Sequence, residues 1–274
     1  MSEEAKPLVK WAGGKRQLVD ILFKSTPIEF NDYYEPFVGG GALFFKLYSQ
    51  NKIKRAYLND YNPDLMNVYA VVKSRPNELI EELKVHGRYP NEKAAYYQIR
   101  QNEPEDMVCQ AARFVYLNRT GFNGLYRVNS KGKFNVPYGR YKNPKICDEE
   151  NILLVSEALK KAVLSNKDFE IVRQQAKPKD FVYFDPPYHP ISKTSFTSYT
   201  KADFSENEQV RLRDVYSELD GRGAFVMLSN SSAPLITELY SNYQTQNVLA
   251  RRAINCKADK RGPVNEVLVS NWRS

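Results

Sequence analysis

The chain has 274 residues, 42% of them hydrophobic, which suits one large α/β domain or a domain with a sizeable insertion. Its formal charge is +8, from 40 basic and 32 acidic residues, and no run approaches the ~18 apolar residues of a membrane span. Met1–Pro7 is short and charged rather than secretory, and three scattered cysteines (Cys109, Cys147, Cys256) with two histidines (His86, His189) argue against a metal site and for a reducing, cytoplasmic setting.

The charge is unevenly placed. Met107 to Cys147 holds no Asp or Glu but carries Arg113, Arg119, Arg127, Lys131, Lys133, Arg140, Lys142 and Lys145. These eight account for the whole excess, since the remainder has 32 residues of each sign. A basic surface kept only for solubility intersperses both signs. A one-sign stretch points instead to a polyanion, meaning nucleic acid.

In chain order, Lys10-Trp11-Ala12-Gly13-Gly14-Lys15 comes first. It is not a P-loop: the upstream glycine is missing and Arg16 replaces the Ser or Thr that would hold magnesium. It reads as a close-approach glycine turn behind an indole. Lys15 to Lys24 follows as an amphipathic helix with Leu18, Ile21 and Leu22 inward.

Tyr33 to Val38 reads as a strand, Gly39-Gly40-Gly41 as a turn and Ala42 to Leu47 as a helix. The third glycine of the dinucleotide fingerprint is absent, because Phe44 stands there. The next strand, Ala56 to Asn59, ends in Asp60, at the spacing of an acid that accepts from ribose hydroxyls. A glycine turn and a ribose acid without phosphate determinants suggest an adenosine-containing ligand lacking a pyrophosphate. S-adenosylmethionine fits that description.

Four helical segments follow: Asp64–Ser74, Pro76–His86, Lys93–Gln101 and Asp106–Leu117. From Asn118 to Tyr141, glycine, asparagine, cations and aromatics interleave. Ser130-Lys131-Gly132 is expected to turn a hairpin between Leu125–Asn129 and Lys133–Val136. A basic hairpin fits a groove of duplex DNA, where Arg127 matches the two major-groove acceptors of guanine and Phe122 makes a wedge.

Ile152–Val163 reads as a helix, Val163–Phe169 as strand and turn, and Glu170–Gln175 as a helix. Phe181-Val182-Tyr183-Phe184 is a buried parallel strand. It runs into Asp185-Pro186-Pro187-Tyr188, and prolines end a central strand because they lack the ladder's N–H. This is the carboxyl edge at which open α/β sheets bind ligands. The four residues suit a flat exocyclic amine. The Asp185 carboxylate and the Pro186 carbonyl would accept its two N–H bonds, and Tyr188 offers a stacking face. His189–Phe204 is expected to be a mobile loop closing over substrate. Asn207–Asp220 and Leu235–Tyr243 read as helices and Ala224–Ser229 as a strand. Gln246–Asn255 and Val264–Trp272 read as two strands around the basic tip Lys257–Gly262. Alternating strands and helices make a doubly wound sheet.

Lys10–Lys15, Pro36–Gly41 and Asp185–Tyr188, in that order with a basic insertion between, resemble the Dam-type DNA adenine-N6 methyltransferases, the alpha class of amino-methyltransferases. Asn118–Pro144 resembles the recognition hairpin of members that methylate GATC. The resemblance implies a Rossmann-like α/β sheet of seven strands with the last pair reversed. It implies a catalytic domain over 1–63 and 151–274, and a mainly helical recognition insertion over 64–150. It implies S-adenosylmethionine as donor, double-stranded DNA as partner and a monomer. Trp11, Gly13, Lys15 and the Phe37–Gly41 turn, including Gly39 and Gly41, would hold the methionine part. Asp60 would bind the ribose, and Asp168 with Phe169 the adenine ring. Asp185, Pro186 and Tyr188 would receive a flipped adenine. Lys10, Arg119, Phe122, Asn123, Leu125, Arg127, Lys133, Pro137 and Arg140 would face DNA. Two rivals remain: the same chemistry on another amine, such as cytosine N4 or a protein glutamine, and a non-catalytic DNA-binding module on this fold. Relatives acting on those amines carry Ser or Asn where Asp185 stands, and an intact Asp60, Asp185 and glycine turn speak against decay.

Overall fold

A computed structural model describes residues 4–11, 13, 15, 17–88, 92–190, 204–251 and 263–272. Seven strands form one sheet: β1 (Tyr33–Glu35), β2 (Ala56–Asn59), β3 (Ala162–Ser165), β4 (Phe181–Phe184), β5 (Phe225–Ser231), β6 (Gln244–Arg251) and β7 (Pro263–Ser270). Their order is β3-β2-β1-β4-β5-β7-β6. The first five are parallel, and β7 runs antiparallel between β5 and β6. The expected final hairpin therefore inserts its second strand beside β5. Its basic tip, like most of the expected loop after His189, lies outside the described residues.

Successive strand residues feed opposite cores, as a period of two requires. Tyr33, Phe181 and Tyr183 face one side with α2 (Ala42–Ser49), α3 (Pro63–Ser74), α4 (Pro76–Gly87), the first half of α6 (Met107–Thr120) and α7 (Glu149–Leu159). Tyr34, Val182 and Phe184 face the other, against Leu212, Val215, Tyr216 and Leu219 of α9 (Glu206–Gly221) and Ile236 of α10 (Pro234–Leu239). All four β4 residues are buried, so the whole strand is apolar.

A small separate core joins Tyr96 and Ile99 of α5 (Lys93–Gln101) to Tyr116 and Leu117, with Phe134 and Tyr138 against it. Arg113 closes α5 from α6, donating to the carbonyls of Ile99 (3.1 Å) and Arg100 (2.5 Å). These orphaned carbonyls at the helix end would otherwise lack donors.

Several boundaries differ from expectation for local reasons. The strand at Tyr33 stops at Glu35, because Pro36 has no N–H to continue the ladder. The first helix is only α1 (Val19–Lys24), with no side-chain cap at Leu18. The helix expected to reach Val163 ends at Leu159, and β-branched Val163 pairs with Tyr57 in β3. After β3 the chain makes a 3-10 turn (Phe169–Ile171) and the short α8 (Val172–Gln175). The chain reverses at Ser130–Gly132 as expected, with Gly132 at φ 76°. The flanks, however, form isolated bridges at Val128–Phe134 and Gly121–Tyr138 rather than ladders. Backbone bonds from Asn129 to Lys133 (2.8 Å) and from Asn135 to Arg127 (2.9 Å) cross the turn, and Asn129 Oδ1 adds to them by accepting from the N–H groups of Lys131 (2.9 Å) and Lys133 (3.1 Å).

Candidate active site

Strands β3, β2, β1 and β4 lie side by side, and the chain leaving the carboxyl end of each carries a predicted site residue. After β1, Gly39 (φ 46°) and Gly41 (φ 69°) adopt left-handed conformations. A Cβ on Gly39 would stand 2.6 Å from Cδ1 of Trp11, so the indole fixes a glycine here. The Gly39 N–H donates to Oδ2 of Asp60 (3.0 Å), its carbonyl accepts from Tyr69 (3.0 Å), and Asp60 Oδ1 accepts from the Asn62 N–H (2.9 Å). The turn after β1 and the acid after β2 are thus one unit. Burial pushes the Asp60 carboxyl up, opposed by the two backbone donors.

After β3, Asp168 accepts from Arg211 (3.0 Å) and from the Glu170 N–H (3.0 Å). Phe169 is buried and stacks on Phe37 with ring centres 5.4 Å apart. Phe204 meets Phe37 edge-on at 5.6 Å, and the Arg211 guanidinium lies 5.0 Å from the Phe169 ring. The result is an aromatic wall with a carboxylate at its rim.

After β4, Lys15 Nζ lies 2.6 Å from Oδ1 of Asp185 and also donates to the Gly13 carbonyl (2.8 Å). Both side chains are largely withdrawn from solvent, at 5% and 17% exposure. The contact is a buried, charge-assisted ion pair. Burial raises the Asp185 carboxyl to about 6, Lys15 pulls it down and Glu266 pushes it up. The Tyr188 ring lies 4.6 Å from Lys15 Nζ, and its hydroxyl donates to Oε2 of Glu266 on β7 (2.7 Å).

The N-terminal segment is tied to the basic loop by Asn118, which is 2% exposed. Its Oδ1 accepts from the Lys10 N–H (2.8 Å), and its Nδ2 donates to the carbonyls of Lys10 (2.8 Å) and Gly124 (2.9 Å). Trp11 stacks on Tyr126 at 5.8 Å, and Lys10 Nζ lies 4.6 Å over the Tyr141 ring. Phe122 is 41% exposed at the start of a 3-10 turn, beside Asn123 at φ 54°. Its N–H donates to the carbonyl of exposed Pro137 (2.8 Å). Leu125 is half-buried next to it, and Arg140 is exposed.

Three residues expected to face DNA are engaged within the chain. Arg119 donates to the Leu8 carbonyl (2.7 Å), a bond that helps hold the N-terminal segment. Arg127 donates to Oδ1 (2.6 Å) and the carbonyl (3.1 Å) of Asn135 across the hairpin, and Lys133 pairs with Glu103 (3.2 Å). Sequence reasoning missed Glu266, Gln209, Asn230, Arg211 and Glu35. Gln209 carried a signal: it precedes Leu212 by one helical step on the inward face. Glu35 is 3% exposed, accepts from Tyr33 (3.0 Å), and burial holds its carboxyl well above the usual range.

A family model of the D12 class N6 adenine-specific DNA methyltransferases matches residues 11–254. The sequence is 47% identical to a type II methyltransferase of Lactococcus lactis subsp. cremoris, over 97% of this chain and 95% of that protein. It is 46% identical to a type II methyltransferase of Methanocaldococcus jannaschii, over 98% and 100%. A DNA adenine methylase of Vibrio cholerae is 35% identical over 97% and 96%. With matches running the length of the molecule, the chain belongs to the D12 class of N6 adenine-specific DNA methyltransferases.

Proposed function

We propose that this adenine-specific DNA methyltransferase uses S-adenosylmethionine and acts on an adenine flipped out of duplex DNA, within GATC. The observation that carries the reading is the end of β4: the buried Asp185 carboxylate pairs with Lys15 Nζ at 2.6 Å, and that ammonium also lies 4.6 Å from the Tyr188 ring. The rest of the site fits the cofactor. Phe37 and Phe169 make an aromatic wall with Asp168 at its rim, Asp60 sits at the glycine turn, and a Cβ on Gly13 would meet no atom of the described residues within 4 Å. Trp11, Gly13, Lys15, Gly39 and Gly41 would hold the methionine end, Asp60 the ribose, and Asp168 with Phe169 the adenine ring.

When bound, S-adenosylmethionine supplies an electrophilic methyl group. Asp185 and the Pro186 carbonyl accept both N–H bonds of the target amine. Accepting both draws the nitrogen toward tetrahedral geometry and aims its lone pair outward. Tyr188 stacks on the base, whose extrusion costs a few kcal/mol of lost stacking and pairing. Lys15 keeps Asp185 ionised and therefore an acceptor. Catalysis is positioning and electrostatics.

Residues 64–150 serve recognition, and 1–63 with 151–274 serve transfer. Phe122 fills the gap the base leaves, Arg127 reads a guanine, and Lys10, Asn123, Leu125, Lys133, Pro137 and Arg140 line the duplex. The protein works as a cytoplasmic monomer. The type II names of two relatives favour a place beside a restriction enzyme. The test is transfer of labelled methyl to two duplexes, one with GATC and one with those bases scrambled. Label at adenine N6 of the first alone is expected. Label on both removes the specificity, and label on neither removes the reading.

A further inference from the structure

The segment Asp185–His189 contains two consecutive prolines, so two of its peptide nitrogens carry no hydrogen. The two prolines cannot be held by donating to a neighbour, so the stretch is held through its carbonyls, its side chains and the N–H groups that flank them. The structure holds it from two elements with no predicted part in the site. Gln209 of α9 donates from Nε2 to the Pro187 carbonyl (3.1 Å). Its Oε1 accepts from Asn230 Nδ2 of β5 (3.1 Å). Asn230 Oδ1 in turn accepts from the N–H groups of His189 (3.2 Å) and Ser231 (2.8 Å), and Ser231 Oγ donates to the His189 carbonyl (2.6 Å). Gln209 and Asn230 are both 0% exposed.

Fully buried amides are costly unless every polar atom is partnered. Here each amide uses both its nitrogen and its oxygen, and the chain they form ends on the backbone at both sides of Tyr188. The register adds a further constraint. Ser231 lies opposite Glu266 in the β5–β7 ladder. One rung therefore holds the His189 carbonyl through Ser231 and the Tyr188 hydroxyl through Glu266.

We propose that Gln209, Asn230 and Ser231 are positioning residues for methyl transfer, clamping the backbone so that the Pro186 carbonyl and the Tyr188 ring are aimed before the base arrives. The proline rings fix φ at 186 and 187 near −65°. Orienting the Pro187 carbonyl then sets the next peptide plane, which leaves rotation at Pro186 as the one soft torsion upstream. The clamp therefore acts one peptide away from the carbonyl that accepts the amine. This inference rests on the reading of Asp185–Tyr188 as the amine holder.

The experiment compares the full chain with Gln209→Met, which keeps length and loses both hydrogen bonds, and Ser231→Ala, a smaller change expected to fold. Asp185→Ala is the control. Single-turnover methyl transfer is measured at saturating cofactor and DNA. Cofactor binding by calorimetry, base extrusion by 2-aminopurine fluorescence and thermal unfolding are measured alongside. Displacing a reacting group by ~1 Å costs on the order of 10²-fold in rate. Gln209→Met is expected to slow transfer by about that factor and Ser231→Ala by about tenfold, a barrier change of ~1.4 kcal/mol. Cofactor affinity and extrusion should stay at wild-type values. Wild-type single-turnover rates in both folded variants, or losses confined to cofactor or DNA affinity, overturn the clamp. Should Gln209→Met fail to fold, Ser231→Ala decides alone by the same criterion. Asp185→Ala separates the two claims: inactivity there with wild-type rates in the clamp variants removes the clamp only, and activity there removes the amine holder and the clamp together.

Discussion

Lys15 Nζ stands 2.6 Å from a carboxylate oxygen of Asp185 and 4.6 Å from the centre of the Tyr188 ring. An ammonium thus occupies the two contacts proposed for the target amine, a carboxylate and an aromatic face. Charge pairing also decides whether Asp185 accepts at all. Burial lifts its carboxyl to about 6 from an ordinary 3.8, and Lys15 is the main opposing influence.

The pH dependence follows. Asp185 must be ionised to accept, so kcat/KM, which reports free-enzyme groups, is expected to fall as pH drops through about 6. Lys15→Met removes the influence that lowers Asp185, so the acid limb should move to higher pH. An unmoved limb would assign the titration to another group. For stability the sign is opposite. The folded state holds this proton more tightly than the unfolded one, so this contribution is full below about 3.8 and is lost as pH rises through about 6.

Phe122 is the large apolar side chain left exposed where α6 meets the basic loop, and its backbone is fastened to Pro137. Ordering such a ring in water has no folding benefit, which favours a role in the duplex. Phe122→Ala is expected to keep cofactor binding and thermal stability while losing most extrusion of a 2-aminopurine placed at the target. Full extrusion in that variant would move the wedge elsewhere.

Arg127 reaches any guanine with a guanidinium already braced by Asn135 at 2.6 and 3.1 Å. Bracing fixes the plane of the guanidinium, and a planar fork held in one orientation suits bidentate recognition. Arg127→Ala is expected to cost about 1–3 kcal/mol of discrimination at one guanine. Asn135→Ala should weaken the same preference with Arg127 in place. Methylation rates on duplexes substituted at each position measure both, and equal losses on every sequence would make Arg127 a phosphate contact instead.

The sheet was legible because its strands are short apolar runs ending at prolines, glycines and acids, and those ends are where the site residues fall. Phe181–Phe184 and Asp185–Tyr188 could be read from residue order alone. The hairpin was legible as a turn; its side-chain bonds from Asn129 and Asn135, which add to the backbone bonds Asn129–Lys133 and Asn135–Arg127, were not. The bond from Arg119 to the Leu8 carbonyl was not legible, because charge in a basic stretch says nothing of the helix face it occupies. The roles of Gln209, Asn230 and Glu266 were hidden for a different reason, although the inward position of Gln209 was not. Their partners lie 22, 41 and 78 residues away, and only the fold brings them to the active segment.

Asn118 makes the last test one of stability and function together. It partners the N–H and carbonyl of Lys10 and the carbonyl of Gly124, while buried at 2% exposure. Replacing it by alanine leaves three backbone groups without a partner, at a cost of about 1–3 kcal/mol. Asn118→Ala should therefore lower the thermal midpoint. It should also loosen Lys10, Trp11 and Gly13 from the loop at Gly124, so cofactor affinity and DNA affinity fall in one variant. Asn118→Asp, which keeps the acceptor for Lys10 but sets a buried carboxylate oxygen against the carbonyls of Lys10 and Gly124, should destabilise at least as much as alanine. An unchanged midpoint with unchanged affinities would show that the N-terminal segment is held by its other contacts, among them the Lys6–Asn151 pair, the Trp11–Tyr126 stack and the Arg119–Leu8 bond.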